Sequence, residues 1–146
     1  MTLRAVLLPL FVEVILTFVL VFWAASLRVR DIRSGAAKRQ DIALREPNWP
    51  DGTRQISYAY ANQLELPVLF YVLTILAYFT RHAGTLFVIL AWIFVLFRLL
   101  HAYVHVTSND VSTRGPLFGV SAVVLAIMWL IFMIQVLTNT VVLIGT

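Results

Sequence analysis

The sequence predicts an all-α integral membrane protein, a single bundle of four transmembrane helices over residues 1–146. Three observations carry that expectation. Hydrophobic residues make up 61% of the chain and charged residues only 12%, and the mean hydropathy is +0.90. Soluble domains are about half apolar and about a quarter charged. The apolar residues collect in four runs, each near the roughly 20 residues that cross about 30 Å of hydrocarbon. The basic residues collect in one polar stretch between the first two runs. A chain of 146 residues cannot enclose this much apolar surface in a water-facing globule, so lipid must cover it. The runs are too long, and too uniform, for barrel strands. A helix also satisfies its own backbone inside the bilayer.

The first run, residues 5–27, is interrupted only by Glu13. It follows Arg4 and ends in small residues (Ala24, Ala25, Ser26), yet it exceeds the 7–15 apolar residues of a cleaved signal core. It is read as a true span. Residues 28–55 form the one long polar loop and hold seven of the eleven basic residues: Arg28, Arg30, Arg33, Lys38, Arg39, Arg45 and Arg54. Within it, Pro47-Asn48-Trp49-Pro50-Asp51-Gly52 reads as turns, with Trp49 at headgroup depth. The second run, 56–80, carries Asn62, Gln63, Glu65 and Pro67. Pro67 is expected to kink it and free a carbonyl. The short connection 81–85 makes the second and third spans an antiparallel hairpin. The third run, 86–106, carries Arg98, His101 and His105. A loop at 107–115 holding Arg114 leads to the fourth span, 116–140.

Positive charge stays on the cytoplasmic side. The first and third loops are therefore expected in the cytoplasm and both termini in the periplasm, with a bacterial inner (cell) membrane as the location. A basic cluster beside a membrane helix faces anionic lipid, so the net charge of +4 does not argue for nucleic acid as a partner. The chain has no cysteine, which excludes disulfides, a protein thiolate and Cys-based metal sites.

Ionisable residues inside a span cost roughly 2.5–3.5 kcal/mol each and usually face other protein. Arg98, His101, His105 and Asn109 recur at i, i+3, i+7 and i+11, an arc of roughly 80° at about 100° per residue. They form one polar stripe from mid-membrane to the cytoplasmic end. Asn62 and Glu65 share a face of the second span, with Tyr58 one turn earlier. Purely structural roles compete with a ligand site here. Glu65 and Arg98 would form a buried pair between the second and third spans, Asn62 would bridge helices, and Glu13 would partner Arg98 or a neighbouring subunit. His101 and His105 have no third ligand at metal spacing, so no metal is expected. The concentration of these groups on two adjacent spans is read as a ligand site.

The stretch Asn62-Gln63-Leu64-Glu65-Leu66-Pro67, followed by Phe70, resembles the Asn-x-x-Glu and proline signature in the second helix of the MAPEG family, the membrane-associated proteins of eicosanoid and glutathione metabolism. Arg98 with its polar stripe is similar to the family's third helix. Arg114, before Gly115-Pro116-Leu117-Phe118, is similar to the arginine that opens the fourth. The likeness is to a bacterial member of the microsomal glutathione transferase kind. It departs from the family pattern at Tyr58, where glutathione-binding members have arginine, and at His101 and His105, where they have tyrosine. The proline also follows the glutamate by two residues rather than three.

The resemblance implies a homotrimer with glutathione bound between subunits near the cytoplasmic end. The implied glutathione ligands are Asn62, Glu65, Arg98, His101 and His105, and the thiolate-stabilising residue is Arg114. Arginine suits the carboxylates of glutathione, Glu65 its ammonium, and a cation beside the sulfur favours the thiolate. The expected function is a glutathione-dependent transferase or peroxidase acting on a hydrophobic small molecule that arrives from the lipid bilayer. The alternative is a non-catalytic member of the same fold that binds a lipid or a membrane partner.

Overall fold

A computed structural model describes residues 2–43 and 48–138 of the chain. Five α-helices follow in order: α1 (Leu3–Arg33), α2 (Asp51–Ala61), α3 (Leu66–Phe79), α4 (Thr85–Val106) and α5 (Val111–Thr138). A single 3-10 turn, Asn62–Leu64, joins α2 to α3, so that Asp51–Phe79 makes one interrupted span. Four helical segments are thus long and apolar enough to cross a membrane. No strand occurs among the described residues.

Three boundaries differ from the sequence expectation. The long loop is not 28–55: α1 continues through Arg28, Arg30 and Arg33, and α2 already begins at Asp51. A buried clamp explains the extension. Asp31 is buried, accepts from the Thr53 hydroxyl across the α1–α2 gap, and pairs with Arg30 at 3.1 Å. Arg28 Nε donates to Ser57 Oγ at 3.2 Å and its guanidinium lies 5.5 Å from the centre of the Trp49 ring. The fourth span likewise starts at Val111, not 116. Asp110 caps it by accepting from the Thr113 N–H at 2.9 Å and the Ser112 N–H at 3.3 Å, the usual service of an aspartate at a helix start. Arg114 and Pro116 therefore lie within the first turns of α5 rather than before it. The expected end at 140 lies outside the described residues.

The stripe on the third span also ends sooner than its spacing implied. α4 stops at Val106, and Asn109 turns into the left-handed region at φ 52°. Asparagine tolerates that conformation better than most residues. The Asn109 N–H closes the turn on the Val104 carbonyl at 2.8 Å.

Cross-helix pairs give the register. Gln55 meets the carbonyls of His105 and Thr107, Asn62 meets Arg98 and His105, and Phe70 stacks on Phe94 at 4.6 Å. Rising numbers in the second span meet falling numbers in the third, so the two run antiparallel, as the short connection predicts. α4 is the central element and packs against α5, α1 and α2.

The two ends of the bundle are filled differently. Toward the turn between α3 and α4, the interior is apolar: Phe70, Leu73, Ala77, Phe87, Ala91, Phe94, Leu125, Met128 and Phe132 are buried together. Lipid is as apolar as these side chains, so close packing rather than escape from water holds them, and Ala77 and Ala91 let backbones approach. Toward the basic end the described residues form a smaller apolar cluster around Leu20, Ala59 and Ala102. The outer surface, with Phe11, Phe18, Phe22 and Leu130 among its exposed side chains, suits acyl chains.

Candidate functional site

The polar residues of three spans converge where the 3-10 turn interrupts the second. Arg98 is 0% exposed. Its Nη2 donates to the Asn62 carbonyl at 2.9 Å, and its Nε lies 3.7 Å from Glu13 Oε1. Glu13 is also 0% exposed. With the Gln63 amide oriented to suit both neighbours, its nitrogen donates to Glu13 Oε1 at 2.7 Å and its oxygen accepts from Arg98 Nη2 at 3.2 Å. The Phe118 ring covers the guanidinium from α5 at 5.7 Å, a stacking arrangement that arginine favours.

This corrects the expected pairing. The carboxylate that pairs with Arg98 is Glu13 on α1, one of the two partnerships expected of that glutamate, and not Glu65. The interruption is the reason. A continuous helix would place Asn62 and Glu65 on one face. At Glu65 the backbone leaves helical geometry, with φ −99° and ψ −105°. Glu65 ends exposed on the protomer surface, while Gln63 turns inward and is buried.

Nearer the basic end a second set of bonds follows. Asn62 Nδ2 donates to His105 Nδ1 at 3.2 Å and to the Tyr58 carbonyl at 3.2 Å. His105 Nδ1 must then be the bare nitrogen, with the proton on Nε2. His101 takes the opposite tautomer, because its Nδ1 lies 2.9 Å from the Arg114 carbonyl and only a donor fits there. Both histidines are buried, their rings 5.7 Å apart and edge to face. Arg114 Nη1 donates to Asn109 Oδ1 at 2.7 Å.

Beyond His105 a polar cleft of about 430 Å³ opens, lined by Asp51, Arg54, Gln55, Tyr58, His105, Asn109 and Arg114. Pockets of roughly 300–1,000 Å³ accept small-molecule ligands. Of the residues expected at a ligand site, the fold thus brings together Asn62, Arg98, His101, His105 and Arg114. Only His105 and Arg114 line the cleft itself, while Arg98 and His101 stand behind it. Glu65 is exposed on the outer face.

Reading the sequence missed Gln63, Gln55 and Arg54. Gln63 gave a usable signal: it is an amide next to Asn62 inside a span, and a buried amide needs partners. Gln55 and Arg54 gave none, because the polar loop appeared to run to residue 55.

Against known proteins, residues 6–134 match the model of one family, and its description reads MAPEG family. No curated protein and no solved structure matches the chain.

Proposed function

Since the chain belongs to the MAPEG family, we propose that it is a membrane-bound, glutathione-dependent transferase or peroxidase acting on a hydrophobic substrate. The observation that carries this reading is the polar cleft at the basic end, with Arg114, Arg54, Asn109, His105 and Tyr58 in its walls. Glutathione offers two carboxylates, an ammonium and a thiol. The cleft offers the Arg54 guanidinium, which also bonds Asp51 Oδ1 at 2.5 Å, for a carboxylate, and the Arg114 guanidinium for the sulfur. Asn109 and His105 supply polar groups between them, which fits the donor and acceptor set of the tripeptide. Arg98 and His101 act from behind, one holding the Asn62 backbone and the other the Arg114 backbone. Glu65, exposed toward any neighbouring copy, meets the ammonium in a homotrimer whose site lies between subunits.

In this reading Arg114 and the start of α5 favour the thiolate, the form of a thiol that attacks. The sulfur then bonds to an electrophilic carbon as a leaving group departs, or attacks a peroxide oxygen as the O–O bond breaks and an alcohol leaves, after which a second glutathione condenses with the sulfenic acid to give the disulfide and water. The second substrate enters sideways from the lipid. The basic end faces the cytoplasm of a bacterial cell and both termini face the periplasm. Labelling of cysteines introduced at Ser34 and Ala83 from opposite sides tests that orientation, and native mass in mild detergent tests the trimer.

The test of function is a thiolate absorbance titration of glutathione with wild type and Arg114→Ala side by side. Wild type should show the thiolate at a pH lower by one or more units, each worth about 1.4 kcal/mol, with binding largely kept in the variant. Identical titrations would remove Arg114 from the chemistry. Failure of wild type to bind glutathione would favour the non-catalytic reading, a lipid- or partner-binding protein. The commitment of Arg98 and His101 to bonds within the protomer is the observation on that side.

A further inference from the structure

We propose that Glu13 and Gln63 are positioning residues for the cleft. Together with Arg98 they hold the interruption of the second span in the one shape that turns the Asn62 side chain to His105. Neither residue lines the cleft, and Glu13 sits on a different span altogether.

The argument starts from the backbone. Across the interruption the α-helical ladder is broken: the 3-10 turn uses the tighter i→i+3 bonds, Glu65 has ψ −105°, and Pro67 has no N–H to offer the Gln63 carbonyl. Inside a bilayer water is not there to replace a missing donor, so such a break survives only where protein groups satisfy it. The Asn62 carbonyl receives Arg98 Nη2 at 2.9 Å. A guanidinium buried at that depth needs a counter-charge, and Glu13 supplies it at 3.7 Å. The gap between charge and counter-charge is wider than a hydrogen bond, and Gln63 spans it, touching Glu13 at 2.7 Å and Arg98 at 3.2 Å. Gln63 belongs to the turn itself, so the turn grips the pair that holds it. The side chain of Asn62, whose backbone is fixed in this way, then reaches His105 at 3.2 Å, and His105 lines the cleft. Glu13 thereby acts on the cleft through three contacts in series.

A plain fastening role would tie the helices together and nothing more. The two roles part in the double variant Glu13→Leu/Arg98→Leu. Replacing a buried ion pair by apolar side chains of similar volume is often neutral or stabilising, so helix fastening survives. The Asn62 carbonyl, however, loses the Arg98 guanidinium and keeps only its bond within the 3-10 turn. The measurement is amide hydrogen exchange of the purified protein in detergent, alongside its thermal midpoint. We expect a midpoint between those of wild type and Arg98→Leu, because the Gln63 amide loses both partners, with exchange across residues 60–70 faster by about tenfold or more, the low end for loss of one hydrogen bond to a charged group. Peptides from α5 should be unchanged. Exchange across 60–70 equal to wild type would overturn the inference.

If the double variant does not fold, Gln63→Met decides. It keeps the Glu13–Arg98 charges and should show the same local acceleration with the midpoint held. No acceleration there would overturn the inference equally. The consequence for ligand rests on the glutathione reading: both variants should weaken glutathione binding about tenfold or more. Wild type that fails to bind glutathione sinks that reading alone, and the exchange measurement still decides the positioning role.

Discussion

The two ends of this bundle are held by opposite means. Toward the α3–α4 turn, aromatic and aliphatic side chains fill the interior, with Phe70 stacked on Phe94 at 4.6 Å. Toward the basic end the interior is built from Glu13, Gln63, Arg98, His101 and His105, all buried. The apolar end tolerates small errors, because each contact is weak and many share the load. The polar end does not, because each buried group depends on a particular partner. A structure that needed only to stay folded in lipid could have used the first means throughout. The expensive half coincides with the cleft, and that coincidence argues for function there.

The comparison can be broken most forcefully at Arg98. Arg98→Leu leaves Glu13 buried without its cation and should lower stability by about 3–5 kcal/mol, read from thermal or denaturant unfolding in micelles. A variant as stable as wild type would mean that the polar end is not held by this pair.

A smaller loss is expected from the apolar end. Leu73→Ala removes a fully buried side chain. Only the cavity counts fully in lipid, at ~24 cal/mol per Å³ over ~80 Å³, or about 2 kcal/mol. A loss equal to that of Arg98→Leu in the same assay would erase the contrast between the two ends.

The smallest effect lies outside the membrane, at Asp110. The Thr113 hydroxyl, and then the N–H groups of Ser112 and Thr113, bond its exposed carboxylate and hold its pKa below the ordinary 3.8. A carboxylate with a depressed folded pKa stabilises fully above the unfolded value and loses that contribution as pH falls through the folded one. The thermal midpoint of wild type should therefore drop below about pH 3.8 more steeply than that of Asp110→Ala. Parallel profiles would remove Asp110 as the cap that sets where α5 begins.

Much of this was legible in the amino-acid order. Four apolar runs marked four spans because lipid imposes length and polarity on anything that crosses it. Arg98, His101 and His105 were legible as one face because α4 is regular from Thr85 to Val106. The failures cluster where regularity ends. Asn109 followed the same spacing on paper but lies past the helix end, at positive φ. Glu65 seemed the natural partner of Arg98 because Asn62 and Glu65 stand three apart. The backbone leaves helical geometry at Glu65 itself, and no periodicity announces it. Glu13, alone in its run, was legible as a partner for Arg98 or for a neighbouring subunit, and the register between α1 and α4 decides for Arg98.

The length of α1 has a mechanical consequence. Its 31 residues at about 1.5 Å each reach about 46 Å, well beyond the ~30 Å of hydrocarbon. Tilt alone would have to approach 50° to absorb the excess, past the 0–40° usual for membrane helices. The last two turns, bearing Arg28, Arg30 and Arg33, therefore stand out of the hydrocarbon as a rigid post. Asp31 and Thr53 lock that post to α2. Its charges cannot fold back to meet the membrane, so the membrane must settle to them. The post acts as a depth stop, and it fixes how far below the water line the mouth of the cleft is carried.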